Sequence, residues 1–274
     1  MRDYAEMIAE EIRNTTELEV QVTSKQMPDG TERYAVTVRE PGANIAPSIY
    51  VDEMQEHGLD VKQSTVEVLK LYETHKAPKV DIDWFSDFEQ VKSKLFVKLL
   101  PKTFKTEIFR SAKAYGFEDL ILVPYASVEF GNGDSGSVLI KPDHIEKWGV
   151  DKKKVLDEAI KNTKKEDVYI KSLGAFVTEH IGFDTGLPED LFGPLIISNK
   201  ETTFGASAIL GRIKDLKEKF VEGFFVIPSS VHEVLIMPKA FGEMDENCLN
   251  AMVREVNATT VLPEEVLSNH VYAF

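Results

Sequence analysis

Cysteine is almost absent: Cys248 stands alone among 274 residues, so the chain forms no internal disulfide and offers no pair of thiolates to a zinc ion. Long apolar runs are missing as well. No stretch approaches the roughly 18 uninterrupted apolar residues of a membrane-spanning helix. The start, Met1-Arg2-Asp3-Tyr4 with Glu6, Glu10 and Glu11 close behind, lacks the apolar run of a signal peptide, so the expected compartment is the cytoplasm. Positive charge is scarce. The 32 Lys and Arg against 46 Asp and Glu leave a net charge of -14, which argues against the broad basic face that duplex binding demands. The six histidines are scattered, with no i, i+4 pair for a helical zinc site, and no Gly-x-Ser-x-Gly elbow occurs. What is present is the make-up of a globular chain, 43% hydrophobic and 28% charged, able to bury a core by ordinary packing.

The negative charge is uneven. Between 92 and 113 the chain carries Lys92, Lys94, Lys98, Lys102, Lys105, Arg110 and Lys113 against Glu107 alone, with Phe96, Phe104 and Phe109 interleaved. This block reads either as a strip that binds an anionic partner or as a solvated face that offsets the acidic remainder of the molecule. The second is the more economical, and it requires Lys98, Lys102, Lys105, Arg110 and Lys113 to pair with the chain's own acids.

Periodicity gives an α+β order. Tyr4, Met7, Ile8 and Ile12 fall at helical spacing, and two alternating strands, Leu18 to Val22 and Tyr34 to Val38, flank a Pro28-Asp29-Gly30 turn. Ser48 to Val51 reads as a third strand and Val61 to Tyr72 as a helix. Val80, Ile82 and Trp84 alternate with Asp81 and Asp83, and Ser86 with Glu89 suggests a capped helix running through Leu95. Leu120 to Val128 is the strongest strand signal, turning at Gly131 to Gly136 into Ser137 to Ile140. A helix from Asp151 follows, and a less regular one lies around Phe176 to Ile181. Pro194 to Ser198, Phe204 to Leu210, Phe224 to Ile227 and Val231 to Met237 read as strands, with a helix at Ile213 to Phe220 between them. Leu249, Met252, Val253 and Val256 mark a last helix, and His270 to Phe274 a short strand. Hairpins outnumber crossovers, so the expected fold is mixed, mainly antiparallel sheets with helices packed on them. An N-terminal lobe over 1–116 and a C-terminal lobe over 117–274 divide these elements most evenly, unless both form one continuous domain.

Several phrases along this order are distinctive: Pro47-Ser48-Ile49-Tyr50, Lys147-Trp148-Gly149-Val150, Ile227 to Val234, Met252 to Asn257 and Leu262 to Ser268. Through them nearly the whole chain resembles an uncharacterised bacterial family, a domain of unknown function common in anaerobic gut bacteria. The stretch from Leu95 to Asn162 is more distantly similar to a second uncharacterised family. Neither resemblance implies an activity. The first implies an accessory role near mobile genetic elements.

Four local patterns carry possible chemistry. Gly131 to Gly136 could cradle a phosphate, but it lacks the Lys-Ser/Thr of a P-loop, a strand continues at Ser137 and Asp134 repels anions, so a hairpin turn is the simpler reading. Asp81 and Asp83 could share a cation, yet no third ligand lies nearby, and their strand neighbours take the core. Ser229, Ser230, His232 and Glu233 bring hydroxyl, imidazole and carboxylate into five residues. On a strand, His232 and Glu233 would point apart, so a turn whose hydroxyls satisfy backbone amides is the plainer reading. Cys248, beside Asp245 and Glu246, reads as buried filler. Nothing points to a metal or a cofactor. The leading expectation is a non-catalytic protein binding a macromolecule, protein before nucleic acid and no membrane; the rival is a hydrolase assembled around Ser230 and His232.

Overall fold

A computed structural model describes residues 1–26, 32–43, 46–76, 83–129, 135–182, 186, 192–241 and 245–274. The chain forms two compact units, Met1–Ile82 with Glu129–Gly136, and Asp83–Val128 with Ser137–Phe274. Residue 116 lies inside the second.

The first unit opens with helix α1 (Arg2–Thr15), which buries Tyr4, Ala5, Ile8, Ala9 and Ile12, one stripe at 3.6-residue spacing. It packs on a sheet of β1 (Glu19–Gln26), β2 (Glu32–Arg39) and β3 (Ser48–Tyr50), antiparallel in the order β1-β2-β3. The turn at 28–30 lies outside the described residues. A short α2 (Asp52–Glu56) leads to α3 (Val61–His75), whose start is fixed by a capping box. Gln63 N–H donates to Asp60 Oδ1 at 2.8 Å, and Asp60 N–H donates to Gln63 Oε1 at 3.0 Å.

The second unit begins with a tight turn, Asp83–Ser86, not a strand, and Asp81 lies outside the described residues. The helix expected through Leu95 is short: Asp87, rather than Ser86, caps α4 (Phe88–Val91) by accepting Glu89 N–H at 3.0 Å. Leu95 then opens β4 (Leu95–Pro101), because the run from Leu95 to Leu100 satisfies its backbone by pairing with β6 (Leu120–Glu129). Between them lies the two-residue β5 (Arg110–Ser111), which also pairs with β6, as does β7 (Ser135–Leu139). Residues 131–134 of the expected turn lie outside the described residues. Helices α5 (Pro142–Trp148) and α6 (Lys152–Lys165) follow, and α6 lays Val155, Leu156, Ala159 and Ile160 into the core.

A five-stranded sheet, every neighbouring pair antiparallel, completes the unit. Its strands are β8 (Val168–Ser172), β9 (Leu195–Asn199), β10 (Phe224–Ile227), β11 (Val234–Pro238) and β12 (Tyr272–Ala273), in the order β12-β10-β11-β9-β8. Helices α7 (Leu173–Ile181), α8 (Ile213–Lys219) and α9 (Glu246–Thr259) occupy the connections. The expected strand at Phe204 to Leu210 is a 3-10 helix, Gly205–Gly211, whose first six residues are all buried. An apolar run buried on every side has no period to separate strand from helix. Its entrance depends on Gly205, where an added Cβ would stand 2.1 Å from Ser198 Oγ and 2.7 Å from the His232 carbonyl. The α+β class with mainly antiparallel sheets is therefore the observed one.

Candidate functional site

The connection between β10 and β11 is six residues, Pro228 to Glu233, rather than a tight hairpin, so His232 sits in a loop and escapes strand alternation. Ser230 organises that loop. Its Oγ accepts the His232 N–H at 3.0 Å and donates to Glu233 Oε1 at 2.9 Å, while Ser230 N–H reaches the Glu233 carbonyl at 3.3 Å. This is the turn chemistry expected of serine.

The imidazole of His232 is held on both sides. Nδ1 accepts Phe204 N–H at 3.2 Å, which leaves the proton on Nε2, 3.3 Å from Glu265 Oε1. The ring also packs against Phe204, centroids 5.4 Å apart. No serine hydroxyl meets either ring nitrogen among the described residues. The backbone facing it is strained: Thr202 and Phe204 hold φ of 51° and 52°, the non-glycine residues with positive φ among those described. Asn199 clamps this turn, its side chain accepting Thr203 N–H at 3.1 Å and donating to the Thr203 carbonyl at 2.9 Å.

These two loops and the end of α9 enclose an open hollow of about 550 Å³. Its lining carries hydroxyls at Thr202, Thr203, Ser229, Ser230 and Thr260, the imidazole of His232, the carboxylates of Glu233 and Glu265, and the methyls of Val256 and Val261. No lysine or arginine lines it, and neither carboxylate is paired with one among the described residues. Ser229, Ser230, His232 and Glu233 are thus brought together. Glu265, 33 residues from His232, and the Thr202–Phe204 turn have no local signal in the sequence. Beside the hollow, α9 covers Leu249 and Val253 but leaves Met252 and Val256 about half exposed, with Leu262 just beyond. Cys248 is exposed, not buried: it occupies the first turn of α9, where its N–H donates to Asp245 Oδ1 at 2.8 Å.

The basic strip does not behave as one surface. Arg110 pairs with Asp157 at 2.7 Å and Lys113 with Glu118 at 3.2 Å, as a self-neutralising face requires. Lys102 and Lys105 are exposed with no ion pair among the described residues. Lys98 departs from the expectation: it is only 6% exposed and meets no carboxylate among the described residues, because β4 is covered on both faces.

One carboxyl outside the hollow is also perturbed. Burial, aided by the charges of Glu201 and Asp167, pushes Glu166 up to about 7. Its carboxylate is less favourable folded than unfolded, so stability is full below the ordinary value near 4.5 and falls as pH climbs from there through 7. Glu166→Gln should therefore be more stable than the parent at pH 8 and equal to it at pH 4, as read by urea melts at both.

No group of three or more His, Cys, Asp or Glu suited to a metal ion occurs among the described residues, nor does a helix long and apolar enough to cross a membrane. Residues 1–274 match the model of a protein family described as a family of unknown function, DUF5688. No curated protein and no solved structure matches the chain.

Proposed function

We propose that this chain, which belongs to the family of unknown function DUF5688, is a non-catalytic binding protein that takes a cationic side chain of a partner protein into the hollow beside Glu233 and Glu265. The observation that carries this reading is the lining itself: two carboxylates with no lysine or arginine partner among the described residues, framed by hydroxyls and the His232 ring, in an open recess. A guanidinium donates in the forked geometry that carboxylates and hydroxyls accept. A nucleic acid would meet like charge there. The net charge of -14 steers a basic partner toward the surface. Exposed Met252, Val256 and Leu262 supply an apolar rim of the kind protein interfaces use.

Hydrolysis fits this geometry poorly. A serine nucleophile needs a base with a free acceptor, and the Nδ1 of His232 is spent on a backbone N–H while Nε2 faces an acid. Ser230 in turn donates to Glu233 and receives the loop amide.

Titration with N-acetyl-arginine amide, followed by amide NMR shifts, tests the reading against its uncharged isostere, N-acetyl-citrulline amide. Shifts should gather at 199–205, 228–233 and 256–265, and citrulline should bind at least about tenfold more weakly, the worth of one charge-assisted hydrogen bond. The Glu233→Gln, Glu265→Gln double variant should lose the same factor while melting normally. Equal response to both ligands would reject the reading, and ester turnover abolished by Ser230→Ala would replace it with the hydrolase.

A further inference from the structure

Lys98 lies at the middle of β4, opposite Val123 of β6, in a strand whose other residues are apolar. Its ammonium group sits 3.3 Å from the centroid of the Phe204 ring and 5.1 Å from that of Tyr125. Among the described residues Nζ has one polar contact, the hydroxyl of Ser137 on β7, at 2.9 Å. Ser137 is exposed, so the buried amine is one hydrogen bond away from solvent. Two aromatic faces attract a cation, but they do not replace the hydration or the counter-ion that a buried ammonium forgoes. A methionine would fill the same space without that penalty. A lysine enclosed by rings, with no acid beside it among the described residues, beneath an exposed hydroxyl, is the arrangement that disfavours the ammonium form and leaves part of the amine free as a nucleophile.

We propose that the Lys98 amine is a reactive site, separate from the hollow at Glu233 and Glu265, that captures a small carbonyl compound, an aldehyde or ketone, as an imine. The Nζ lone pair attacks the carbonyl carbon, a C–N bond forms and the carbonyl oxygen takes up a proton. The hydroxyl of the resulting carbinolamine takes a second proton and leaves as water while nitrogen gives both of its protons to solvent, leaving C=N, so two protons are taken up and two released. No oxidant or reductant is consumed. The flanking rings favour an apolar carbonyl compound, and Ser137 stands where its oxygen would arrive. Desolvation alone brings Lys98 down to about 8, which places a useful share of free amine near neutral pH.

The test is labelling of the intact protein with propionaldehyde and cyanoborohydride, which traps the imine, followed by peptide mass mapping from pH 6 to 10. At pH 7.5 a lysine at about 8 has roughly two-hundredfold more free amine than one near 10.4. A weaker base is also a weaker nucleophile, which takes back about tenfold by analogy with thiols. Lys98 should then react about tenfold or more faster than exposed Lys105, with its rate levelling off above pH 8. An unlabelled Lys98, or one no faster than Lys105, overturns the proposal. Lys98→Met should lose the fast site and melt at the same or a higher temperature at pH 7, the gap closing as pH rises through 8 toward 10.5. A Lys98→Met chain that no longer melts cooperatively would make the ammonium a structural strut and count against it.

Discussion

Gly205→Ala should lower stability by about 3 kcal/mol or more, far beyond the usual cost of one added methyl group. The new Cβ would lie 2.1 Å from Ser198 Oγ, 2.5 Å from the Asn199 backbone nitrogen and 2.7 Å from the His232 carbonyl oxygen. A flexible side chain could swing away; two of these three atoms are backbone, held in β9 and in the loop before β11. Ser198 Oγ donates to that same His232 carbonyl at 2.7 Å, so the methyl group would wedge apart the contact that ties β9 to the 228–233 loop. Gly149→Ala is the control. There φ is +61° and nothing stands within 4 Å, so the cost should be about 1 kcal/mol, that of a left-handed backbone alone. Urea melts of the two variants check the ordering. Equal losses would mean that the 205 junction yields.

Asp119→Ala should be nearly as damaging, at about 2–4 kcal/mol, for a different reason. Its carboxylate collects Tyr272 O–H at 2.6 Å and Ser268 O–H at 2.9 Å, with His270 Nε2 at 3.3 Å. Tyr272 and Ser268 are both nearly fully buried, so removing the acceptor strands two hydroxyls away from water. Burial first, and then the hydrogen bond to Asp119, holds the Tyr272 hydroxyl above the ordinary tyrosine range, so it stays a donor throughout the accessible pH range. Asp119→Ala with Tyr272→Phe should cost less than the sum of the two single changes, because the orphaned donor leaves with its acceptor. Thermal melts of the double-mutant cycle measure that coupling.

Elements with a clear period were legible in the residues. Helix α1 shows an apolar residue at every fourth position, and the residues of β1 and β2 alternate apolar with polar, Val20 and Val22 being half-buried and Val36 and Val38 buried. Where burial is complete the pattern vanishes, which is why the Gly205–Gly211 helix passes for a strand. The four polar residues at 229–233 were visible as a group, but their meaning depended on Phe204 and Glu265, which reach His232 only through tertiary packing. Lys98 did leave a sign. One lysine inside Phe96-Val97-Lys98-Leu99-Leu100 interrupts an apolar run, and counting it with its charged neighbours hid that it points inward.

The path of the chain has a consequence for its synthesis. Tyr272 closes on Asp119 across 153 positions, and β12 is the strand that finishes its sheet. The second unit therefore cannot be completed on the ribosome until residue 273 has cleared the exit tunnel. Until then the apolar strands β4 and β6, made more than a hundred residues earlier, lack part of their cover. Over that interval the unfinished unit exposes apolar strands of the kind that holding chaperones cover.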